Sequence, residues 1–297
     1  MANVPIESFG GVEGFSNQFI ETQVKNTRNS ALDYQNLVTV NTTLEANPGD
    51  VYHVDRIIPA GEAEIVAEGA GNKNKITTST EQSDYTVATA QAWFQYTDER
   101  LRRTPDSVAA GIANLGVTLT NKMNLDIVGE LAKSTTTQTS KSLDFDSIVD
   151  AQNLLDLDTF TEVGVAEGQS TEQVVADGTT LFVGKVLRAA IRKACKDELK
   201  YVESFVRQGY IGTIAGTNVF YSKLMDATTY NSKAFLFNKQ AVTVFMKSTP
   251  EIEAYQKGNR AASDANTRTN NVFARQTYVT ALTDATKAAV ITIGAGA

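Results

Sequence analysis

The sequence predicts an α+β fold, with helices and strands mixed and no regular strand–helix–strand alternation. Three observations lead there. From Thr104, apolar residues recur at spacings of three and four for about 28 residues, the signature of one long helix. Just before it, GDVYHVDRIIP and SDYTVATAQAWFQYT alternate side chains with the two-residue period of strands. After it, short strand-like runs are interleaved with two shorter helical patterns.

Taken in order, residues 1–15 carry three glycines and a proline and read as an extended start. From Ser16, Phe19, Ile20, Gln23, Val24, Thr27 and Ala31 share roughly one helical face. Nothing in 1–45 is apolar enough for a core of its own, so this stretch reads as an arm that leans on something else. Residues 49–96 read as strands. Within them, the polar, β-patterned run 60–84, with Gly69, Gly71, Asn72 and Asn74 near its middle, predicts a long protruding hairpin. Thr104 is a good N-cap, Pro105 suits the first helical position and Asp106 the positive end of the dipole. Val108, Ile112, Leu115, Leu119, Met123, Ile127 and Leu131 then define the buried face. A rod of this length, ~40 Å at 1.5 Å per residue, needs a long flat surface such as a sheet to lie on.

Thr135 to Ser140 read as a surface linker. DFDSIVDAQNLLDL (144–157) predicts a helix whose apolar residues are Phe145, Ile148, Val149 and Leu155. TTLFVG (179–184) predicts a buried strand, and KVLRAAIRKACKDEL a helix with Val186, Leu187, Ala190, Ile191 and Ala194 on one face. YIGTIAGTNVFYSK predicts two strands around Gly216, AFLFNKQAVTVFMK strand–turn–strand, and NVFARQTYVTALTD and KAAVITI two closing strands.

Composition narrows the function. With 42% hydrophobic and 21% charged residues the chain has enough apolar side chain for a sizeable core. A single cysteine, Cys195, excludes an intramolecular disulfide, and one Cys plus one His exclude a Cys/His zinc site. MANVPIESFGGVEGF lacks the basic and apolar regions of a secretory signal, and no apolar run has the length of a membrane span. The Asn41-Thr42-Thr43 sequon is therefore expected to stay unmodified. A net charge of −7 leaves no basic footprint for gripping nucleic acid. The clusters Arg100/Arg102/Arg103 and Arg188/Arg192/Lys193 read as solvated faces or interface pairs.

No catalytic motif emerges. His53 sits in a strand pattern with no nucleophile elbow anywhere, and Cys195 lies beside the apolar face of a helix. Gly178 to Lys185 misses a phosphate loop by one residue of spacing and has Val186 where Ser or Thr is required. Gly209 to Gly216 lacks the helix that must follow a dinucleotide fingerprint. Asp144/Asp146, Asp156/Asp158 and Asp197/Glu198 read as caps or solvated carboxylates rather than acid–base pairs. No enzyme, cofactor or metal is expected.

The order of elements carries more. GDVYHVDRIIPAGEAEIVAEG followed by WFQYTDERLRRTPDSVAAGIANLGVTLTNKMNLDIVGEL resembles the extended loop and spine helix of tailed-bacteriophage major capsid proteins, the Hong Kong 97-type fold. RQGYIGTIAGTNVFYSKLM and AFLFNKQAVTVFMKSTPEIEAY are similar to later segments of that family, so the likeness spans roughly residues 15–293. It implies an N-terminal arm (1–45), an extended loop hairpin (46–90), a peripheral domain with the spine helix (91–142 and 240–284) and an axial domain (143–239 and 285–297).

The resemblance also implies self-assembly through pentamers and hexamers into an icosahedral shell around double-stranded DNA, built in the host bacterial cytoplasm. Expected partners are portal, scaffolding or decoration proteins and, non-specifically, packaged DNA, with no membrane. The arm and hairpin are expected to pack on neighbours, with Glu62, Glu64, Ile65, Glu68, Lys73 and Lys75 as assembly contacts. With an arm helix beginning within ~16 residues of Met1, and if Met1 is the true start, a separate scaffolding protein or none is expected, with no large cleaved N-terminal segment. Two alternatives remain: an encapsulin-type nanocompartment shell, and a soluble Thr-rich binding module of a phage.

Overall fold

A computed structural model of the chain describes residues 6–9, 12–15, 17–30, 34–46, 49–60, 65, 68, 71, 73, 75, 77–155, 178–194, 210–256, 259 and 261–294. Its elements begin with β1 (Ile6–Phe9), β2 (Val12–Phe15), α1 (Asn17–Ser30), β3 (Thr39–Asn41), α2 (Thr43–Ala46), β4 (Val51–Ala60) and β5 (Thr77–Thr86). There follow β6 (Ala88–Thr97), α3 (Asp98–Arg103), α4 (Pro105–Leu131), β7 (Thr137–Ser140), α5 (Phe145–Gln152), β8 (Thr179–Val183) and α6 (Lys185–Ala194). The last are β9 (Tyr210–Ile214), β10 (Thr217–Tyr221), β11 (Lys233–Asn238), β12 (Val242–Met246), β13 (Glu251–Tyr255), α7 (Ala262–Thr267), β14 (Thr269–Leu282) and β15 (Ala288–Ile293). The chain divides into two compact units.

The first unit comprises Met1–Pro48, Val87–Glu130 and Thr243–Ala281. Its sheet runs β13–β14–β12–β3, and β6 pairs antiparallel along β14 from Thr269↔Thr97 to Tyr278↔Ala88. The helix α4 starts at Pro105 as expected, and all seven residues assigned to its inner face are at most 4% exposed. The sheet presents alternate residues to it. Ala92 and Tyr96 of β6 and Val272 and Ala274 of β14 form one core with Val108, Ile112, Leu115 and Leu119. At Gly111 helix and sheet come close: a Cβ there would run into the Phe94 ring. Asp126 accepts a hydrogen bond from the buried Tyr278 hydroxyl at 2.8 Å; burial, first, and this carboxylate, second, push the phenol far above its ordinary pKa.

The arm departs from expectation. Residues 6–9 and 12–15 are extended, as expected, and pair as an antiparallel ribbon. The helix α1 does not wait for a neighbour: Ile20 and Val24 are fully buried in the core just described. Two large apolar residues one turn apart suffice to dock an amphipathic helix on a core that others supply.

The second unit comprises Gly49–Thr86, Leu131–Val242 and Leu282–Ala297. Its six-stranded sheet runs β7–β15–β11–β8–β10–β9. Leu181, Val183, Ala234, Leu236, Ala289 and Ile291 of the sheet pack on Ile148 and Ala151 of α5 and on Leu187 and Ile191 of α6. Asp144 caps α5: its carboxylate accepts from the Ser147 N–H, and the Ser147 hydroxyl receives the Asp144 N–H. The turn between β9 and β10 places Gly216 at φ +77°, which only glycine adopts freely.

Three further expectations are corrected. Thr137–Ser140 is no linker but an edge strand, β7, parallel to β15; its β-branched threonines suit a half-exposed edge. On α6, Val186 is 64% exposed and Ala194 is exposed, so the apolar face is narrower than the sequence implied. The run SDYTVATAQAWFQYT divides at Val87 into β5, which pairs with β4, and β6, which joins the first unit's sheet.

Candidate assembly surface

Two surfaces are built in ways that a self-sufficient chain does not need. The first is the hairpin of β4 and β5. Ten residue pairs run from Val51↔Thr86 to Ala60↔Thr77, and the two strands pair with no other described strand. His53 faces Asp84 across the ladder, Nδ1 to Oδ1 at 2.5 Å, with both side chains 57% exposed. A two-stranded ribbon is marginal alone in water. At the tip Ile65 is 99% exposed, and Glu68, Lys73 and Lys75 are exposed too. Glu62 and Glu64 lie outside the described residues. The four described candidates are thus placed at a solvent-facing tip, and the structure packs none of them into this chain's core.

The second surface escaped the sequence reading. The strand period that turns Ala92, Phe94 and Tyr96 toward α4 turns Gln91, Trp93 and Gln95 to the opposite face of the sheet. There Trp93, 58% exposed, stacks on Phe273 at 6.1 Å and 9° between planes, and Tyr255 meets Phe273 edge-on at 6.0 Å. The Arg275 guanidinium lies 5.6 Å from the Phe273 centroid, donates from Nε to Gln91 Oε1 at 2.9 Å and pairs with Glu253 at 3.2 Å. Asn271 Oδ1 accepts from Trp93 Nε1 and Gln95 Nε2, both at 3.1 Å, while its Nδ2 donates to Asp264 at 2.7 Å. A hydrogen bond holds the Trp93 ring, Phe273 is gripped by Trp93, Tyr255 and Arg275, and Trp93 and Tyr255 remain exposed. A pre-ordered, partly apolar, exposed patch of this kind has the character of a contact surface. Trp93 alternating with buried neighbours was the available signal.

The chemistry-bearing candidates do not converge. Cys195, Asp156, Asp158, Asp197 and Glu198 lie outside the described residues. After Gly184, the first N–H of α6 donates to Asp226 Oδ1 at 2.5 Å, and a Cβ on Gly184 would meet the Met225 carbonyl oxygen at 2.7 Å. A carboxylate therefore already holds the position a phosphate would need. Among the described residues no group of three or more His, Cys, Asp and Glu side chains could hold a metal ion, and no helix is long and apolar enough to cross a membrane.

Comparison with known proteins is decisive for the fold. No family model matches the chain. The capsid of cyanophage Pam1 superposes with a TM-score of 0.61 at 11% identity, over 88% of this chain and 89% of that one. A virus-like particle from Pyrococcus furiosus gives 0.55 at 12% identity, over 92% and 98%. The chain has the Hong Kong 97-type capsid fold. In sequence it is similar to the major capsid protein of Staphylococcus phage phiMR11, 24% identical over 294 residues, covering 96% of this chain and 97% of that protein.

Proposed function

We propose that the chain is the subunit of the icosahedral shell of a tailed bacteriophage, assembling through pentamers and hexamers around double-stranded DNA. The observation that carries this is end-to-end similarity to a phage major capsid protein combined with the capsid fold. The role is structural rather than enzymatic. In this reading α4 and its sheet form the peripheral domain (91–142 and 240–284), and the six-stranded sheet the axial domain (143–239 and 285–297). Glu68, Lys73, Lys75 and Ile65 at the hairpin tip, with Glu62 and Glu64, make contacts between subunits. The charge of −7 repels packaged DNA and keeps it mobile. Portal, scaffolding or decoration proteins would complete the particle, which assembles in the bacterial cytoplasm and ends in the virion.

The likeness to the Pyrococcus particle supports a second reading, a shell that encloses something other than a genome. Negative-stain microscopy of the purified protein tests the shell: closed particles are expected, and a stable monomer at high concentration overturns it. Portal and terminase genes beside this one decide for the virion. Deleting 69–75 should leave the subunit folded while blocking closure; unimpaired closure removes the hairpin tip from the contact set.

A further inference from the structure

One strand of the first unit's sheet has a side that no described strand uses. β13 ends the strand order and pairs only with β14, from Glu251↔Arg275 to Tyr255↔Asn271. A groove of about 310 Å³ lies beside it, lined by Ile252, Glu253, Ala254 and Tyr255 together with Ile20 and Glu21 of α1. Successive side chains of a strand point to opposite faces of the sheet, so a groove touched by four consecutive residues follows the strand's edge rather than one face. That edge carries backbone N–H and C=O groups, the template on which an extended chain adds as the next strand.

The register across the sheet says what such a chain would carry. Gln91, Arg275 and Glu251 form one cross-strand row, and Trp93, Phe273 and Glu253 the next. The outward face of β13 therefore presents Glu251, Glu253 and Tyr255. Glu253 is shared with Arg275 at 3.2 Å, and Tyr255 meets Phe273 edge-on. Glu251 is exposed and makes no ion pair among the described residues. Glu21, paired with Lys25, adds a third carboxylate from the helix side. On the inward face, Ile252 and Ala254 pack against the core that holds Ile20. Two β13 edges brought together would set glutamates against glutamates, which discourages a second copy from pairing here. A basic strand gains where an acidic one loses, and the stem of a lysine or arginine can lie along the Tyr255 ring.

We propose that β13 is the docking edge for an extended, basic segment of another protein, which adds to the sheet as its next strand. The side chains of that segment alternate. Lysine or arginine stands opposite Glu251 and Glu253, and apolar residues between them face the groove toward Ile20. The added strand continues the rows that begin at Gln91 and Trp93 and covers the groove. The proposal rests on this edge alone and does not depend on the shell reading.

A labelled synthetic peptide of alternating lysine and valine, titrated into the full-length protein, tests it by fluorescence anisotropy and by hydrogen exchange of the β13 amides. The lysine peptide should bind and slow exchange at 251–255, and the same peptide with glutamate for lysine should do neither. Glu251→Lys, at an exposed position, should weaken the lysine peptide about tenfold, as an attractive cross-strand pair becomes a repulsive one. A lysine peptide with its backbone nitrogens methylated should not bind, because it cannot complete the ladder. No binding by the lysine peptide, equal binding by both peptides, or binding unchanged by Glu251→Lys or by methylation overturns the proposal. So does protection of 251–255 by rising protein concentration alone, which would put a second copy on this edge.

Discussion

Replacing Leu119 by aspartate tests the packing of α4 on its sheet most directly. Leu119 is 3% exposed and shares its core with Val108, Ile112, Leu115, Ala92 and Val272. Truncating such a leucine to alanine alone costs about 2–5 kcal/mol. A carboxylate with no partner in that core adds a desolvation penalty of several kcal/mol, limited by its taking up a proton. The sum is comparable with the whole stability of a typical domain, about 5–15 kcal/mol. Leu119→Asp should therefore leave little folded protein. Asn121 is exposed two residues further along the same helix. Asn121→Asp should change stability by no more than about 0.5 kcal/mol. Urea denaturation of the purified variants, followed by circular dichroism and paired with microscopy for shells, reads both. If the two substitutions move the unfolding midpoint equally, the face assigned to α4 is wrong.

The remaining predictions concern single contacts. Gly111→Ala should destabilise by about 1–3 kcal/mol because its Cβ runs into the Phe94 ring. Gly129→Ala, with nothing within 4 Å of its Cβ, should be neutral or stabilising by up to about 1 kcal/mol; thermal melts should separate the pair. The Ser147 N–H and then the Ser142 hydroxyl hold the Asp144 carboxyl below its ordinary pKa. Its contribution is therefore fully present above the unfolded carboxylate pKa and lost as pH falls through the lowered folded value. Asp144→Ala should cost ~1 kcal/mol at neutral pH, and wild-type and variant denaturation midpoints should converge in strong acid. Trp93, the only tryptophan, is open to water in the subunit; its emission should shift to the blue when shells form, and an unchanged spectrum would place its face outside the subunit contacts.

The parts of the fold that were legible are those where the buried pattern and the element period coincide over many residues. The seven inward positions of α4 and the run Thr179–Val183 are of that kind. Short elements held by tertiary pairing were not. Thr39–Asn41 and Glu251–Tyr255 are strands because β12 and β14 offer them edges, and nothing in three to five mostly polar residues announces that. The break at Val87 was invisible for a related reason. Both halves of the run alternate correctly, and only their partners differ. At the candidate surface the hairpin tip was legible because glycines, asparagines and charges have a local cause. The aromatic patch was not, because Phe273 reaches Trp93, and Tyr255 reaches Phe273, from strands distant in sequence.

The two exposed surfaces also show how such a chain can fold as a subunit and still require partners. The core residues of both units are buried without help, down to Ile20 and Val24 of the arm helix. Folding therefore need not wait for assembly. What remains outside the cores is of two kinds. Among the described residues the β4–β5 ribbon pairs with no third strand, which small sheets need for independent stability. The Trp93–Phe273–Tyr255 patch is the reverse, already ordered by its own hydrogen bonds, so covering it loses little side-chain freedom. A loose element needs a surface to order it, and a rigid surface binds without reorganising. In the proposed shell, one of each on every copy would give neighbouring subunits a loose element and a rigid surface to bring together. Neither the ribbon nor the patch needs any change in the subunit core to serve it.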